Sequence, residues 1–320
     1  GSLLLIGILL LVYAPVIGVE RNGSHRWIAP PMGRSSADAP SPLTLQPSEF
    51  AKWGLVLVVA LYAALSGPRL REFWRGLVPA LLAVGAVTFV VIIEDLGTGT
   101  LLLVASVFVL LAGGARFLHF AMFLPLGITL FVGAVVTNPY RYDRITAFLN
   151  PYLDPEKTGY HMIQSMVAVS NGEGFGRGLG HGLQKFGYLP EDQTDFVFAV
   201  LCEELGIAGA SVVVTLFLML LLTGFTIVRR ERETWLKLAG LGVLCTVGFQ
   251  ALINMAVVTG LGPTKGIALP LVSSGGTGWI LTCFSLGILL AMDRAHARED
   301  ESLEQPSPSP GEWSPSPTSP

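Results

Sequence analysis

About eight stretches of this 320-residue chain are apolar over nearly or fully the roughly 20 residues a helix needs to cross the ~30 Å hydrocarbon core of a bilayer. They lie near residues 3–19, 48–66, 76–93, 97–113, 117–136, 196–228, 238–258 and 276–292. Lipid offers no water to stray backbone groups, so each run must close its own hydrogen bonds as a helix. The expected fold class is therefore all-α: a polytopic transmembrane helix bundle with large extracytoplasmic loops. Composition excludes an ordinary soluble domain, because 51% of residues are hydrophobic, only 13% are charged and the mean hydropathy is +0.60. The sixth run is long for one crossing, so it tilts, projects from the bilayer or breaks near Gly206-Ile207-Ala208-Gly209.

Basic residues in short loops predict the orientation. Arg69, Arg71 and Arg75 follow the second run, Arg116 the fourth, Arg229, Arg230, Arg232 and Lys237 the sixth, and Arg294 and Arg298 the last. These loops and both visible termini are expected on the cytoplasmic side, with 20–47, 94–96, 137–195 and 259–275 facing outward. A net charge of -3 and the lack of a basic stripe outside these loops argue against nucleic acid as a partner. Cys202, Cys245 and Cys283 lie singly in apolar runs, as small packing residues and not as a zinc or redox pair. The chain enters an apolar run directly after Gly1-Ser2 with no initiator Met, which reads as a missing start. Residues 1–300 read as the membrane domain and the Pro/Ser-rich 301–320 as a disordered cytoplasmic tail.

Polar residues at span ends are costly unless paired or hydrated, and most of them gather at the predicted outer boundary. Glu49 and Lys52 lie three apart at the start of the second run, on one helical face, where they can neutralise each other while Ser48 caps the helix. Asp95 is placed to cap the fourth helix. Glu203 and Glu204 point about 100° apart on a helix, so at least one should face the interior and need a partner such as Asn254 or a basic residue. The glycines of 170–180 supply a tight surface loop, and their spacing follows a helical pattern instead of a strand, which excludes a dinucleotide site. The stretch Gln184–Asp195 then brings Lys185, Glu191, Asp192 and Asp195 to one boundary. Asp195 has the simple reading of a first-turn acid or N-cap; beside a cation and partly desolvated, it also suits a general base toward a sugar hydroxyl.

Several blocks carry a resemblance to a known family. They are Asn22–Ile28, Leu45–Lys52, Asp95–Thr98, Arg144–Leu149, Gly159-Tyr160 through Gln164-Ser165, Lys185–Glu204, Gly266–Pro270 and Ser273–Gly276. In this order they resemble the SEDS proteins (shape, elongation, division and sporulation; FtsW, RodA and SpoVE) over residues 3–295, with 184–190 closer to the FtsW/SpoVE branch. The resemblance implies ten spans, of which the first two would be absent here, and a multi-pass place in the bacterial cytoplasmic membrane. It implies a peptidoglycan glycosyltransferase that polymerises lipid II into glycan strands on the outer face, works with a class B penicillin-binding transpeptidase, and uses a divalent cation, Mg²⁺ or Mn²⁺, with no assigned metal ligands. By the same resemblance Asp195 deprotonates the acceptor 4-hydroxyl, which attacks the donor's anomeric carbon with inversion.

Arg26, Trp27, Glu49, Lys52, Lys185, Glu191, Ser273 and Ser274 are the candidate substrate-binding residues, the cations serving the leaving pyrophosphate. Trp27 suits an interfacial belt as well as a sugar platform. Two departures stand out: Gln193 where the family often has His, and Glu94 where it commonly has Pro. The competing readings are a lipid II flippase, for which Glu203 and Glu204 would be midplane charges, and a non-catalytic scaffold for a transpeptidase.

Overall fold

The computed structural model describes residues 2–10, 18–21, 24–28, 45–264 and 266–304, with the side chains of 18–27 and 299–304 outside that description. Among these residues ten helices carry the chain: α1 (Ser2–Leu10), α2 (Pro47–Ser66), α3 (Val78–Glu94), α4 (Leu96–Ala112), α5 (Phe117–Val136), α6 (Pro139–Leu149), α7 (Tyr160–Asn171), α8 (Val197–Arg230), α9 (Thr234–Val258) and α10 (Gly276–Glu304). Six helical segments are long and apolar enough to cross a membrane: Pro47–Arg71, Phe73–Glu94, Phe117–Val136, Val197–Arg230, Thr234–Val258 and Gly276–Arg298. Helix α4, at 17 residues, is a shorter apolar helix at the lower edge of spanning length. The first expected span is described only as α1, and its expected last residues, 18 and 19, instead open a strand. Strand β1 (Gly18–Arg21) pairs antiparallel with β2 (Ser24–Ile28), and Ile28 exchanges two 2.8 Å backbone bonds with Leu45.

Helix α9 is the centre of the bundle. Its small residues let neighbours approach: a Cβ on Gly242 would lie 2.5 Å from Val56 of α2, and one on Gly240 would lie 2.7 Å from Val228 of α8. Leu55, Leu102, Val109 and Ala239 fill one core between α2, α4 and α9; Phe198, Ala251 and Val258 belong to a second, under α7 and α8. Helix α5, by contrast, leaves Leu124, Ile128 and Leu130 exposed, the surface expected of a helix that faces lipid tails.

The long sixth run breaks at Gly206, whose φ of 64° and ψ of -163° interrupt α8. The amides freed beyond the break are not left bare. Ile207 and Ala208 donate to the carbonyls of Glu173 and Gly174, while Arg177 and Gly178 donate back to Glu203 and Glu204. Contact is so close that a Cβ on Gly206 would fall 2.4 Å from the Gly176 nitrogen, which explains glycine on both sides.

Candidate functional site at one end of the bundle

Alternation of the spans brings the start of α2, α4, α8 and α10 and the end of α3, α5 and α9 to one end, and hydrogen bonds knit that end together. Arg141 donates to Ile92 and Ile93 at the C-terminus of α3, and Ser165 of α7 donates to Val258 of α9. Just before α8, Glu191 adopts a φ of 56° and its carbonyl accepts from the amides of Thr194, Asp195 and Phe196. This turn fixes where Asp195 emerges. Asp195 is not the cap of α8; Phe196 holds that position, buried and stacked on His161 of α7 at 6.0 Å.

Asp195 is half-buried and lines a cleft of about 300 Å³. Helix α6 contributes Arg144, the turn before α7 contributes Lys157, α7 contributes His161, and the 190s turn contributes Glu191 alongside Asp195. Arg144 lies over the Tyr140 ring at 4.6 Å and donates to the Thr264 carbonyl at 3.0 Å, so its guanidinium is held in place. Burial, followed by the charge of Arg144, pushes the His161 imidazole below its usual range against the opposing pull of Glu191. His161 is therefore neutral at pH 7. Three carboxylates, those of Asp143, Glu191 and Asp195, line the cleft with a neutral imidazole and two cations, a set that can accept a proton and stabilise a developing anion in the same place.

The other sequence candidates are distributed around this cleft. Glu191 lies in it, and its carboxylate accepts from the Thr194 hydroxyl at 2.9 Å. Lys185 does not line it: its ammonium pairs with Glu204 at 2.7 Å. Glu204 also accepts from the amides of Gly180 and Gly182, while fully buried Glu203 accepts from those of Leu183 and Gln184, so backbone amides fill the role considered for Asn254. Glu49 and Lys52 form the expected pair at 2.6 Å, and Lys52 is 1% exposed with Gln250 as its second partner at 3.0 Å. Ser48 is not the cap, because Pro47 occupies the first helical position and the cap falls to Gln46. Asp95 caps α4 through the amides of Gly97 and Thr98.

Ser273 is buried and accepts from the Leu269 amide, and the Ser274 amide donates to Gln193, two residues from Asp195. The side chains of Arg26 and Trp27 lie outside the described part of the structure. Sequence reasoning did not single out Arg144, Lys157 or His161. Arg144 opened one of the resembling blocks, which was the one available signal for it.

A bundle of helices long and apolar enough to cross a membrane, with a charged cleft at one end, is the architecture of an integral membrane protein. The chain belongs to the FtsW/RodA/SpoVE family, whose model, described as "Cell cycle protein", matches residues 1–298. It is 40% identical over 288 residues to stage V sporulation protein E of Bacillus subtilis, covering 90% of this chain and 76% of that protein. It is 39% identical over 296 residues to the probable peptidoglycan glycosyltransferase FtsW of Nitrosococcus halophilus, covering 91% and 73%. Among solved structures it is similar to a chain described under "structural coordination of polymerization and crosslinking by a peptidoglycan synthase complex". That match has a TM-score of 0.69 and 29% identity, over 92% of this chain and 81% of the other. The rod shape determining protein RodA of Thermus thermophilus matches at a TM-score of 0.58 and 25% identity, over 91% and 77%.

Proposed function

We propose that the chain is a peptidoglycan glycosyltransferase that polymerises lipid II on the outer face of the bacterial cytoplasmic membrane, and that the Asp195 cleft is its active site. The carrying observation is that Asp195 lines the same cleft as Arg144 and Lys157. Asp195 takes the proton of the acceptor sugar's 4-hydroxyl as that oxygen bonds to the donor's anomeric carbon. The bond from that carbon to the lipid pyrophosphate breaks on the opposite face, inverting the centre, and the pyrophosphate leaves with the electron pair. Arg144 and Lys157 stabilise its charge, at a cost to the reaction if either is removed. Neutral His161 remains able to donate or accept a hydrogen bond beside the reacting sugar.

Among the described residues no group of three or more His, Cys, Asp or Glu side chains is placed to hold a metal ion. The cleft carboxylates Glu191 and Asp143 fit a different arrangement, in which Mg²⁺ or Mn²⁺ takes one or two protein ligands and completes its shell with phosphate oxygens and water. Such an ion would add positive charge at the pyrophosphate. The arginine-bearing turns at the opposite end of the bundle support a cytoplasmic orientation for that end. The likeness to a chain of a synthase complex that couples polymerization with crosslinking supports a class B transpeptidase as partner.

The test is glycan synthesis from labelled lipid II by the purified protein in liposomes, with its transpeptidase partner and Mg²⁺ or Mn²⁺. Glycan polymer is the expected product. Scrambling of lipid II between leaflets with no polymer would replace the enzyme with a flippase.

A further inference from the structure

The backbone of Asp195 and the loop that faces its carboxylate are held from behind by two buried side-chain amides. Asn254 of α9, 2% exposed, donates through Nδ2 to the Asp195 carbonyl at 2.7 Å and to the Ile267 carbonyl at 2.7 Å. Four residues earlier on the same helical face, Gln250 donates to the Ala268 carbonyl at 2.8 Å and accepts from Lys52 at 3.0 Å. Lys52 in turn is pinned by Glu49 and lies over the Trp53 ring. The chain of contacts thus runs from α2 through α9 to the backbone of 266–269 and to Asp195 itself. The same loop presents Gly266 to the carboxylate so closely that a Cβ there would lie 2.7 Å from Asp195 Oδ2.

We infer that Asn254 and Gln250 are positioning residues for Asp195, and that Lys52 aligns Gln250 from behind instead of meeting substrate. An amide that donates to two carbonyls from different segments sets the separation of those segments. Without it the loop and the 190s turn are still tied by the Ser274–Gln193 backbone bond but lose the tie beside Asp195, and the carboxylate loses its station against the acceptor hydroxyl. This inference rests on Asp195 being the base of the glycosyl transfer proposed above. A carboxylate displaced by about 1 Å slows the chemical step about 100-fold while leaving substrate contacts made elsewhere intact.

The experiment compares the parent with Asn254→Leu and the charge-balanced double variant E49Q/K52M, in glycan synthesis at varied lipid II and in hydrogen exchange. We expect kcat to fall about 10- to 100-fold with KM changed less than about twofold, and the amides of 195–199 and 266–269 to exchange faster in Asn254→Leu. If Asn254→Leu does not fold, Asn254→Ser, whose hydroxyl cannot reach both carbonyls, takes its place. A folded Asn254 variant with full kcat, unchanged exchange in both segments, or a KM rise in E49Q/K52M with kcat intact would overturn the inference. Failure of the parent itself to make polymer would sink the glycosyltransferase reading instead, and the exchange data would still decide whether the clamp exists.

Discussion

Two acidic clusters lie eight residues apart, about two helical turns, at the head of α8, and the structure uses them differently. Glu203 and Glu204 are enclosed by the glycine-rich loop: four backbone amides and Lys185 point at their carboxylates, and their own carbonyls accept from Arg177 and Gly178. Glu191 and Asp195 instead line a cleft shared with Asp143, the cations of Arg144 and Lys157 and the His161 imidazole. Both clusters read in the sequence as acid-rich segments. What separates them is what surrounds the carboxylates: backbone amides with Lys185 and Arg177 in the first case, and a space large enough for a ligand in the second. A buried carboxylate met by several amides is a structural anchor, since removing it strands those donors.

Substitutions should separate the clusters by kind of effect as well as by size. The largest is at Asp195: Asp195→Asn is expected to lower polymer formation by about 10²- to 10⁴-fold with an unchanged melting temperature, measured on labelled lipid II. Next is Glu203→Ala, which leaves the amides of Leu183 and Gln184 without their acceptor and is expected to cost about 3 kcal/mol of stability. Its activity should scale with the folded fraction. Lys185→Met removes a partly exposed pair, 27% and 13% accessible, and is expected to cost under about 1 kcal/mol. A Lys185 variant that folds normally yet loses most of its activity would break the comparison, because the lysine would then serve substrate.

The smallest expected effect is on pH. His161 is held below its usual value of 6.5, so the unfolded chain takes up this proton more readily than the folded one. The stability that the neutral ring contributes is fully present above 6.5 and is lost as pH falls through the lowered value. His161→Gln should flatten this acid-side loss in unfolding measured between about pH 7 and pH 5.

Features governed by neighbours in the chain were legible in the sequence. The placement of the six long spans, the Asp95 cap and the Glu49–Lys52 pair follow from hydropathy and helical spacing, while the break at Gly206 is one of the three outcomes the sequence left open for the sixth run. The error at Ser48 was local too: Pro47 takes the first helical position, which moves the cap two residues back to Gln46. The site itself was legible only at Asp195 and Glu191. Arg144, Lys157 and His161 reach the same cleft from 30 or more residues earlier in the chain, through the packing of α6 and α7 on the bundle, and no periodicity encodes that meeting. Lys185 was read toward the substrate because its partner, Glu204, lies 19 residues further along the chain, within α8.

The most direct test of this account sets Asp195→Asn beside Glu203→Gln in one assay, glycan synthesis from labelled lipid II, each corrected for its folded fraction. The account predicts almost no polymer from folded Asp195→Asn and near-parental specific activity from folded Glu203→Gln. Polymer at the parental rate from Asp195→Asn, or loss confined to the Glu203 variant, would contradict it and move the active site to the other acidic cluster.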